Sequence, residues 1–376
     1  MPWKEVLVMD QRRELMELAS RPGANRRELA KRWGIAPKTL YKWLDRYKEQ
    51  GEAGLADRSR RPDSSPKRLA SDLEQQVLAL QRENPYWGAR KLRRLLEDSG
   101  VASVPARSTV HEVLRRNDCL IKGGGSTQPP FKRFEHPEPN DLWQMDFKGH
   151  FPNDRGQCHP LTVLDDHSRF SLCLAACDDQ QGSTVQRHLI AAFRRYGLPR
   201  RMTMDNGSPW GGDSDGLRHT KLTVWLLQLG IKVGHSRPYH PQTQGKDERF
   251  HRTLNVELLQ HQRFIDNDDA QRAFNIFRDR YNSKRPHEAL ELEVPLTRYR
   301  ISPTSYPEVL PTVEYLSTDK VYKVDRAACI TVKSQRVKIG KAFVGQRIAL
   351  RQGTEDGCFS VFFSRFEIGE IDLRVA

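Results

Sequence analysis

Three carboxylates stand where an acidic side chain can do more than solvate a surface. Asp146 interrupts the run Trp143-Gln144-Met145-Asp146-Phe147, which reads as a strand with Leu142, Gln144 and Lys148 on the same side of the pleat as Asp146. Asp205 closes a second short run, Arg201-Met202-Thr203-Met204, immediately before Asn206-Gly207. Glu248 falls in the first turn of a helix whose apolar stripe is Phe250, Leu254 and Leu258; it lies off that stripe, on a face with Arg252 and Asn255. Strand ends are where α/β folds place their chemistry. Carboxylates from three elements offer hard oxygen donors of the kind that suit Mg2+ or Mn2+. Two such ions can activate an attacking oxygen and stabilise a leaving one in phosphodiester chemistry. The chain holds 48 acidic residues, and the bland reading of any one of them is a surface charge. Asp247 is a rival third carboxylate, although it points about 100° away from Glu248 on a helix, toward the apolar stripe. Asp165 and Asp166 are lesser rivals, and read better as supports of the site or caps of the turn before His167-Ser168.

A scaffold for these residues is legible around them. Residues 142–151, 161–166 and 170–177 read as three consecutive strands. A helix over 184–196, stopped by Gly197-Leu198-Pro199, a strand over 201–205, a helix over 218–229 and a strand over 231–236 follow. Helices over 245–262 and 268–282 complete the region. Three strands and then strand and helix in alternation predict a mixed sheet covered by helices, an α/β core over residues 141–300. Past a proline-rich stretch at 295–311, short β segments at 321–324, 329–333, 336–339, 346–351, 358–362 and 366–373 predict a small all-β barrel within 301–376.

The first third reads differently. Asn25 can cap a helix over 26–33; Gly34-Ile35-Ala36 turns the chain, and Pro37 sits where a first helical residue tolerates proline. Leu40, Trp43, Leu44 and Tyr47 then form an apolar stripe, with Lys38, Lys42, Asp45 and Arg46 on the other face. Helix, glycine turn and helix with a basic outer face is the helix-turn-helix layout, so residues 1–56 predict a DNA-docking domain. Lys38, Thr39, Lys42 and Arg46 are its candidate DNA contacts. Helices over 71–83, with Ser71 as cap, 88–98 and 106–117 predict a second helix-turn-helix over 70–121, with Arg107 as a further contact. Between them, 57–69 is a basic linker, five of the twelve residues from Asp57 to Arg68 being Lys or Arg; Arg58, Arg60 and Arg61 can lie along a minor groove or simply be solvated. Gly123-Gly124-Gly125 and four prolines mark 122–140 as another linker.

Composition bounds the whole. The chain has 376 residues, a formal net charge of +14 and a mean hydropathy of −0.72. Residues 1–130 carry 26 Lys and Arg against 17 Asp and Glu; the rest carry 36 against 31. A polyanion is the first partner to consider. No stretch approaches the ~20 apolar residues of a membrane span, and the start lacks a signal-peptide pattern, so a cytoplasmic protein with no membrane partner is expected. Six cysteines form no disulfide framework, and no His/Cys set has zinc-finger spacing, so no zinc is expected.

Trp143 to Phe147 resembles the first strand of the retroviral-type integrase core that DDE transposases share, and Met204-Asp205-Asn206-Gly207 resembles its second-Asp motif. His240-Pro241-Gln242-Thr243-Gln244-Gly245-Lys246-Asp247-Glu248-Arg249 is similar to its Glu helix. Tyr281-Asn282 with Arg285-Pro286-His287 resembles the segment closing this core in bacterial insertion-sequence transposases, whose N-terminal regions the two helix-turn-helix units and the linker also resemble. The 42 residues between Asp205 and Glu248 exceed the retroviral interval, the excess falling in the Gly/Asp-rich stretch 210–218. The resemblance implies a multidomain transposase with an RNase H-like core. Asp146 and Asp205 would bind both of two Mg2+ or Mn2+ ions, and Glu248 would complete one. It implies hydrolysis at the terminal inverted repeats of an element, then attack of the freed 3′-OH on target DNA with no covalent enzyme intermediate. Double-stranded DNA is the implied partner, Lys246, Arg249 and Arg252 track its backbone, and a dimer or higher homo-oligomer, nucleoid-associated when bound, holds paired ends. The alternatives are a non-catalytic helix-turn-helix regulator derived from a transposase, and a metal nuclease without strand transfer.

Overall fold

The computed structural model describes residues 8–57, 69–120, 135–211, 217, 219–235, 245–353 and 355–374. The candidate contacts Arg58, Arg60 and Arg61, the glycine triplet and the His240–Gln244 part of the Glu-helix motif lie outside the described residues. The chain forms two compact units, Met1–Arg68 and Leu69–Ala376.

In the first unit, α1 (Val8–Ala19), α2 (Arg26–Arg32) and α3 (Pro37–Gln50) enclose a core of Leu15, Met16, Ala19, Ala30, Leu40, Leu44 and Leu55. The Asn25 side chain accepts the Glu28 backbone N–H at 3.2 Å, capping α2. Gly34 turns the chain at φ +65°, where a side chain would be strained. Pro37 opens α3, as its spacing predicts.

The second unit begins with α4 (Ser71–Glu83), α5 (Ala89–Asp98) and α6 (Arg107–Arg116), packed on Trp87, Leu92, Leu96, Val110 and Leu114. Ser71 is the first residue of α4 rather than its cap; Asp72 and Glu74 in the first turn complement the helix dipole instead. The sheet follows: β1 (Trp143–Phe147), β2 (Phe151–Asn153), β3 (Gly156–Asp165), β4 (Ser171–Cys177), β5 (Arg201–Met204) and β6 (Lys232–His235). β3 pairs antiparallel with β1 and β4 and, at its start, with β2; β1, β5 and β6 are parallel. The order β2-β3-β1-β5-β6, with β4 on β3 and helices on both faces, is that of the RNase H-like core that the resemblance implies. α7 (Gly182–Tyr196) and α8 (Lys221–Gln228) cover one face, where Trp143, Met145, Val163, Met202 and Met204 meet Leu189, Phe193 and Leu226. α9 (Gly245–Leu254), a π-helical turn (Asn255–Leu259) and α10 (Asn267–Ser283) cover the other, where Leu164 and Leu174 meet Phe250, Leu254 and Phe274. The pleat that buries Trp143 and Met145 against α7 and α8 turns Gln144 and Asp146 toward the α9 face. A short α11 (Pro295–Arg298) follows.

The C-terminal strands fall close to their predicted positions: β7 (Lys320–Lys323), β8 (Cys329–Val332), β9 (Gln335–Lys338), β10 (Arg347–Gln352), β11 (Cys358–Phe363) and β12 (Phe366–Asp372). They do not close the predicted barrel. Among the described residues they form a four-stranded sheet, β12-β11-β10-β7, and a separate β8–β9 hairpin. The hairpin turns through Lys333 and Ser334, both at positive φ, and so pairs with itself. Val224 and Leu227 of α8 join Ile348, Leu350, Phe359, Val361 and Phe363 in one cluster, so a helix of the core covers the apolar face that closure would otherwise bury. Among the described residues no helix is long and apolar enough to cross a membrane.

Candidate active site

Asp146 lies opposite Thr162 in the β1–β3 ladder, and its carboxylate accepts the Phe147 N–H at 2.8 Å. On the other side of β1, Gln144 pairs with Thr203 of the parallel strand β5. Asp146 is two residues beyond Gln144 and Asp205 two beyond Thr203, so the register brings both carboxylates to one end of adjacent strands. The Asp205 carboxylate accepts the Gly207 N–H at 3.1 Å. Glu248 is exposed in the first turn of α9. The convergence registers electrostatically. Burial first, then the Asp205 charge, and more weakly Glu248, push Asp146 up to about 6 against the pull of the Phe147 N–H. Among the described residues none of the three forms an ion pair, and no group of three His, Cys, Asp or Glu side chains is gathered as a metal-ion cage.

Asp247 fills the inner face of α9. It is fully buried, both carboxylate oxygens lack a partner among the described residues, and burial, then Asp146 and Asp166, raise it well above the carboxylate range. The helix spacing that turns Asp247 away from Glu248 therefore turns it toward Asp146, rather than only into an apolar stripe.

Asp165 accepts the Ser168 N–H at 2.8 Å, the Ser168 hydroxyl at 2.6 Å and the Asn140 N–H at 2.7 Å, which makes it the cap of that turn. Asp166 accepts from Gln144 Nε2 at 2.8 Å and from the His136 N–H at 2.9 Å, and forms an ion pair with Lys246. Lys246 also donates to the Asp166 carbonyl at 3.2 Å, so its ammonium points into the protein and not outward along a DNA track. Arg249 and Arg252 are exposed. In the first unit Lys38 and Lys42 project from α3, Thr39 is half-buried, and Arg46 lies 5.4 Å from the Trp43 ring centre. Arg107 opens α6, exposed.

One connection has no counterpart in the sequence expectations. The Thr162 hydroxyl donates to the Asp146 carbonyl at 2.9 Å, and His251 Nε2 lies 2.8 Å from the same hydroxyl. With the hydroxyl proton committed, His251 donates. Burial and Lys148 push His251 down to about 4, so it is neutral. It thereby ties the Glu248 helix to the Asp146 strand through β3. The signal available was spacing: His251 is three residues past Glu248, on the same side of α9.

Among solved structures, a simian T-cell lymphotropic virus intasome in complex with the PP2A regulatory subunit B56 gamma aligns with 78% of this chain and 99% of its own, at 17% identity and a TM-score of 0.38. The HTLV-2 integrase catalytic core domain in complex with magnesium aligns with 44% of this chain and 99% of its own, at 15% identity and a TM-score of 0.33. The Gag-Pol polyprotein of baboon endogenous virus (strain M7) is 27% identical over 49% of this chain, which spans 11% of that polyprotein. An uncharacterized 31.7 kDa protein of insertion element IS407 from Burkholderia multivorans is 22% identical over 57% of this chain and 70% of its own length. An uncharacterized 39.2 kDa protein of insertion element IS476 from Xanthomonas euvesicatoria is 26% identical over 56% of this chain and 55% of its own. Family models match along the chain in order: a helix-turn-helix domain at residues 11–62, a homeodomain-like domain at 39–114, integrase core domains at 136–241 and 229–295, and the C-terminal domain of IS481 family transposases at 319–376. With insertion-element relatives at one level and transposase and integrase-core domains in sequence at the other, the chain is similar along its length to bacterial insertion-sequence transposases that carry a retroviral-type integrase core.

Proposed function

We propose that this chain is an active DNA transposase that cleaves the 3′ ends of its element at the terminal inverted repeats and joins them to target DNA. What supports the reading is the register that puts Asp146 and Asp205 at one end of adjacent parallel strands, with α9, which carries Glu248 in its first turn, packed over the same face. Asp146, Asp205 and Glu248 would hold two Mg2+ or Mn2+ ions, which supply a polarised phosphoryl group and a nucleophilic oxygen when bound. The donor set fits: all oxygens are hard, among the described residues no basic side chain pairs with Asp146, Asp205 or Glu248, and the Asp247 carboxylate oxygens, without a partner among those residues, are close enough to feel the Asp146 charge.

The chemistry is two transfers at phosphorus. In the first, a water oxygen bonds to phosphorus and the P–O3′ bond breaks, leaving a 3′-OH and a 5′-phosphate. In the second, that 3′-OH bonds to a target phosphorus and displaces the target's own 3′ oxygen. The chain's part is to orient: β1 and β5 fix Asp146 and Asp205 at one level, and the His251–Thr162 link fixes α9 against β1. Lys42 and Arg46 of α3, and Arg107 of α6, would hold the end DNA, with Arg249 and Arg252 beside the site. Lys38, Thr39, the linker arginines Arg58, Arg60 and Arg61, and an assembly of at least two copies on paired ends belong to the same proposal, as does the cytoplasm as its place of action.

A strand-transfer assay with element-end DNA and Mg2+ tests it. Wild type should yield joined product, and Asp146→Asn none while still binding the DNA. Equal product from both sinks the enzymatic reading, and cutting without joining leaves a nuclease. A second reading is favoured by the buried, unpartnered Asp247: it, not Glu248, could be the third ligand. Comparing Asp247→Asn with Glu248→Gln in the same assay decides which carboxylate the reaction requires.

A further inference from the structure

The second helical unit is not held by a loose tether; it is fastened to the helix that carries Glu248. Trp87, in the turn between α4 and α5, is 1% exposed, and its indole N–H donates to Glu257 at 3.3 Å. Glu257 lies in the π-helical turn that continues α9, and its other oxygen accepts from Arg285 Nε at 2.8 Å. Both side chains of that pair are about nine-tenths buried. Arg280 of α10 lies 5.0 Å from the Trp87 ring centre and donates to the Glu83 carbonyl at 2.9 Å and to Asn84 Oδ1 at 2.5 Å. Tyr86 stacks on His261 at 4.6 Å. Every one of these contacts comes from the α4–α5 side. On α6, Arg107, Ser108 and His111 remain exposed.

Units joined by a flexible segment move relative to one another by default. Here a buried indole hydrogen bond, a guanidinium that lies on an aromatic face and donates twice, and the Arg94–Glu293 ion pair at 3.1 Å hold one orientation. Tilting α4 and α5 away would leave the buried Trp87 N–H without its acceptor, so alternative docking angles are disfavoured. The outward face of α6 and the Glu248 end of α9 therefore belong to one rigid piece.

We infer that this interface acts as a ruler: it fixes the distance along the DNA between the base pairs that α6 contacts and the phosphodiester presented to the carboxylates. This rests on the function proposed above, and makes Glu257, Arg280 and Trp87 determinants of where the end is cut. A register error of one base pair moves the phosphate by about 3.4 Å. Displacement by about 1 Å can already slow a reaction on the order of 100-fold.

The test inserts one, two or three base pairs between the sequence α6 protects and the element terminus. Hydroxyl-radical footprints of the full-length protein are taken without divalent metal, and cleavage is then measured in Mg2+. The wild-type footprints of α6 and the core should keep a constant separation on every DNA, with cleavage at the original terminus falling on the order of 100-fold. In the double variant Glu257→Gln, Arg280→Ala the separation should vary with the insertion and cleavage at the terminus should largely return. An unchanged α6 footprint and a single cooperative unfolding transition, at a lower temperature, show that variant to be folded. A wild-type core footprint that stays on the terminus whatever is inserted overturns the ruler, as does a double variant indistinguishable from wild type. Footprints of constant separation with no cleavage even of the DNA without insertion would refute the catalytic proposal and leave the ruler standing; protection at neither place would refute both.

Discussion

Asp146 is ionised against resistance when no cation is present. Its folded-state value, about 6, lies above the ordinary carboxylate value of 3.8, so the folded protein holds that proton more tightly than the unfolded chain. The stability this provides is complete below about pH 4 and is lost as pH rises through about 6. Asp146→Asn removes the repulsion, and in metal-free buffer it should raise the unfolding temperature at pH 7, by up to about 3 kcal/mol of stability, and leave it unchanged near pH 4. Mg2+ should then raise the wild-type unfolding temperature and not the variant's, because the ion binds the folded state through the carboxylate that the variant lacks. Identical melting of the two proteins at pH 7, with and without Mg2+, would rule this out. Thr162 offers a second residue-level test. Thr162→Val leaves the His251 N–H buried without an acceptor, which costs about 1–3 kcal/mol. It should slow cleavage far more than it weakens DNA binding, and Thr162→Ser should restore both; equal loss from Val and Ser would reduce the link to packing. Asp146 and Asp205 stood out because each interrupts or closes an apolar run, whereas Glu248 sits among Lys246, Asp247 and Arg249 and was singled out by the resemblance of residues 240–249 to a Glu helix. The His251–Thr162 link and the inward turn of Asp247 were not legible, because both depend on which strand lies across from α9, and periodicity within one element carries no such information.

At the scale of elements, most strands and helices of the core fall near their sequence expectations, since Trp143, Met145, Met202 and Met204 alternate cleanly against α7 and α8, but the strand expected over 142–151 ends at Phe147, β3 begins at Gly156 rather than 161, and the helix expected over 245–262 gives way to a π-helical turn after Leu254. Closure of the C-terminal strands was not legible. Their alternation states that one face is apolar, and the covering surface, Val224 and Leu227 of α8, lies about a hundred residues earlier in the chain. The docking of α5 on the core was hidden in the same way, and it places Lys91 in an unusual setting. Burial first, then Arg285, with Arg249 adding, push Lys91 down to about 7, against the pull of Glu257 and Glu288. The unfolded chain, with an ordinary lysine, binds that proton more readily, so stability from this group is lost as pH falls from about 10 toward 7. Lys91→Met keeps the length of the side chain and removes the charge. It should raise the unfolding temperature at pH 6 and narrow the difference between pH 6 and pH 9; a lower unfolding temperature at pH 6 would mean that the ammonium is a net stabilising partner of Glu257 and Glu288.

For the molecule as a whole, the charge is shared more evenly than the chain lengths suggest. Residues 1–68 hold 17 Lys and Arg against 10 Asp and Glu, and residues 69–376 hold 45 against 38, the same excess on a far longer stretch. The smaller unit is thus the denser source of cations for phosphate, and each phosphate neutralised releases counterions. The two compact units carry separate hydrophobic cores, the first built on Leu15, Leu40 and Leu44. Two linked DNA-binding units gain affinity through effective concentration, on the order of 100- to 10,000-fold over either alone. A protein spanning Leu69–Ala376 should therefore keep the second unit's unfolding transition and bind element-end DNA at least about 100-fold more weakly. The slope of its log affinity against log salt should also be flatter. Within the full chain, Lys42→Ala should weaken binding and reduce that slope by about 1, the signature of one lost phosphate contact. Equal affinity and equal salt slope in full-length and shortened proteins would show that α3 does not touch the end DNA, and would move the whole of end recognition to α6 and the core.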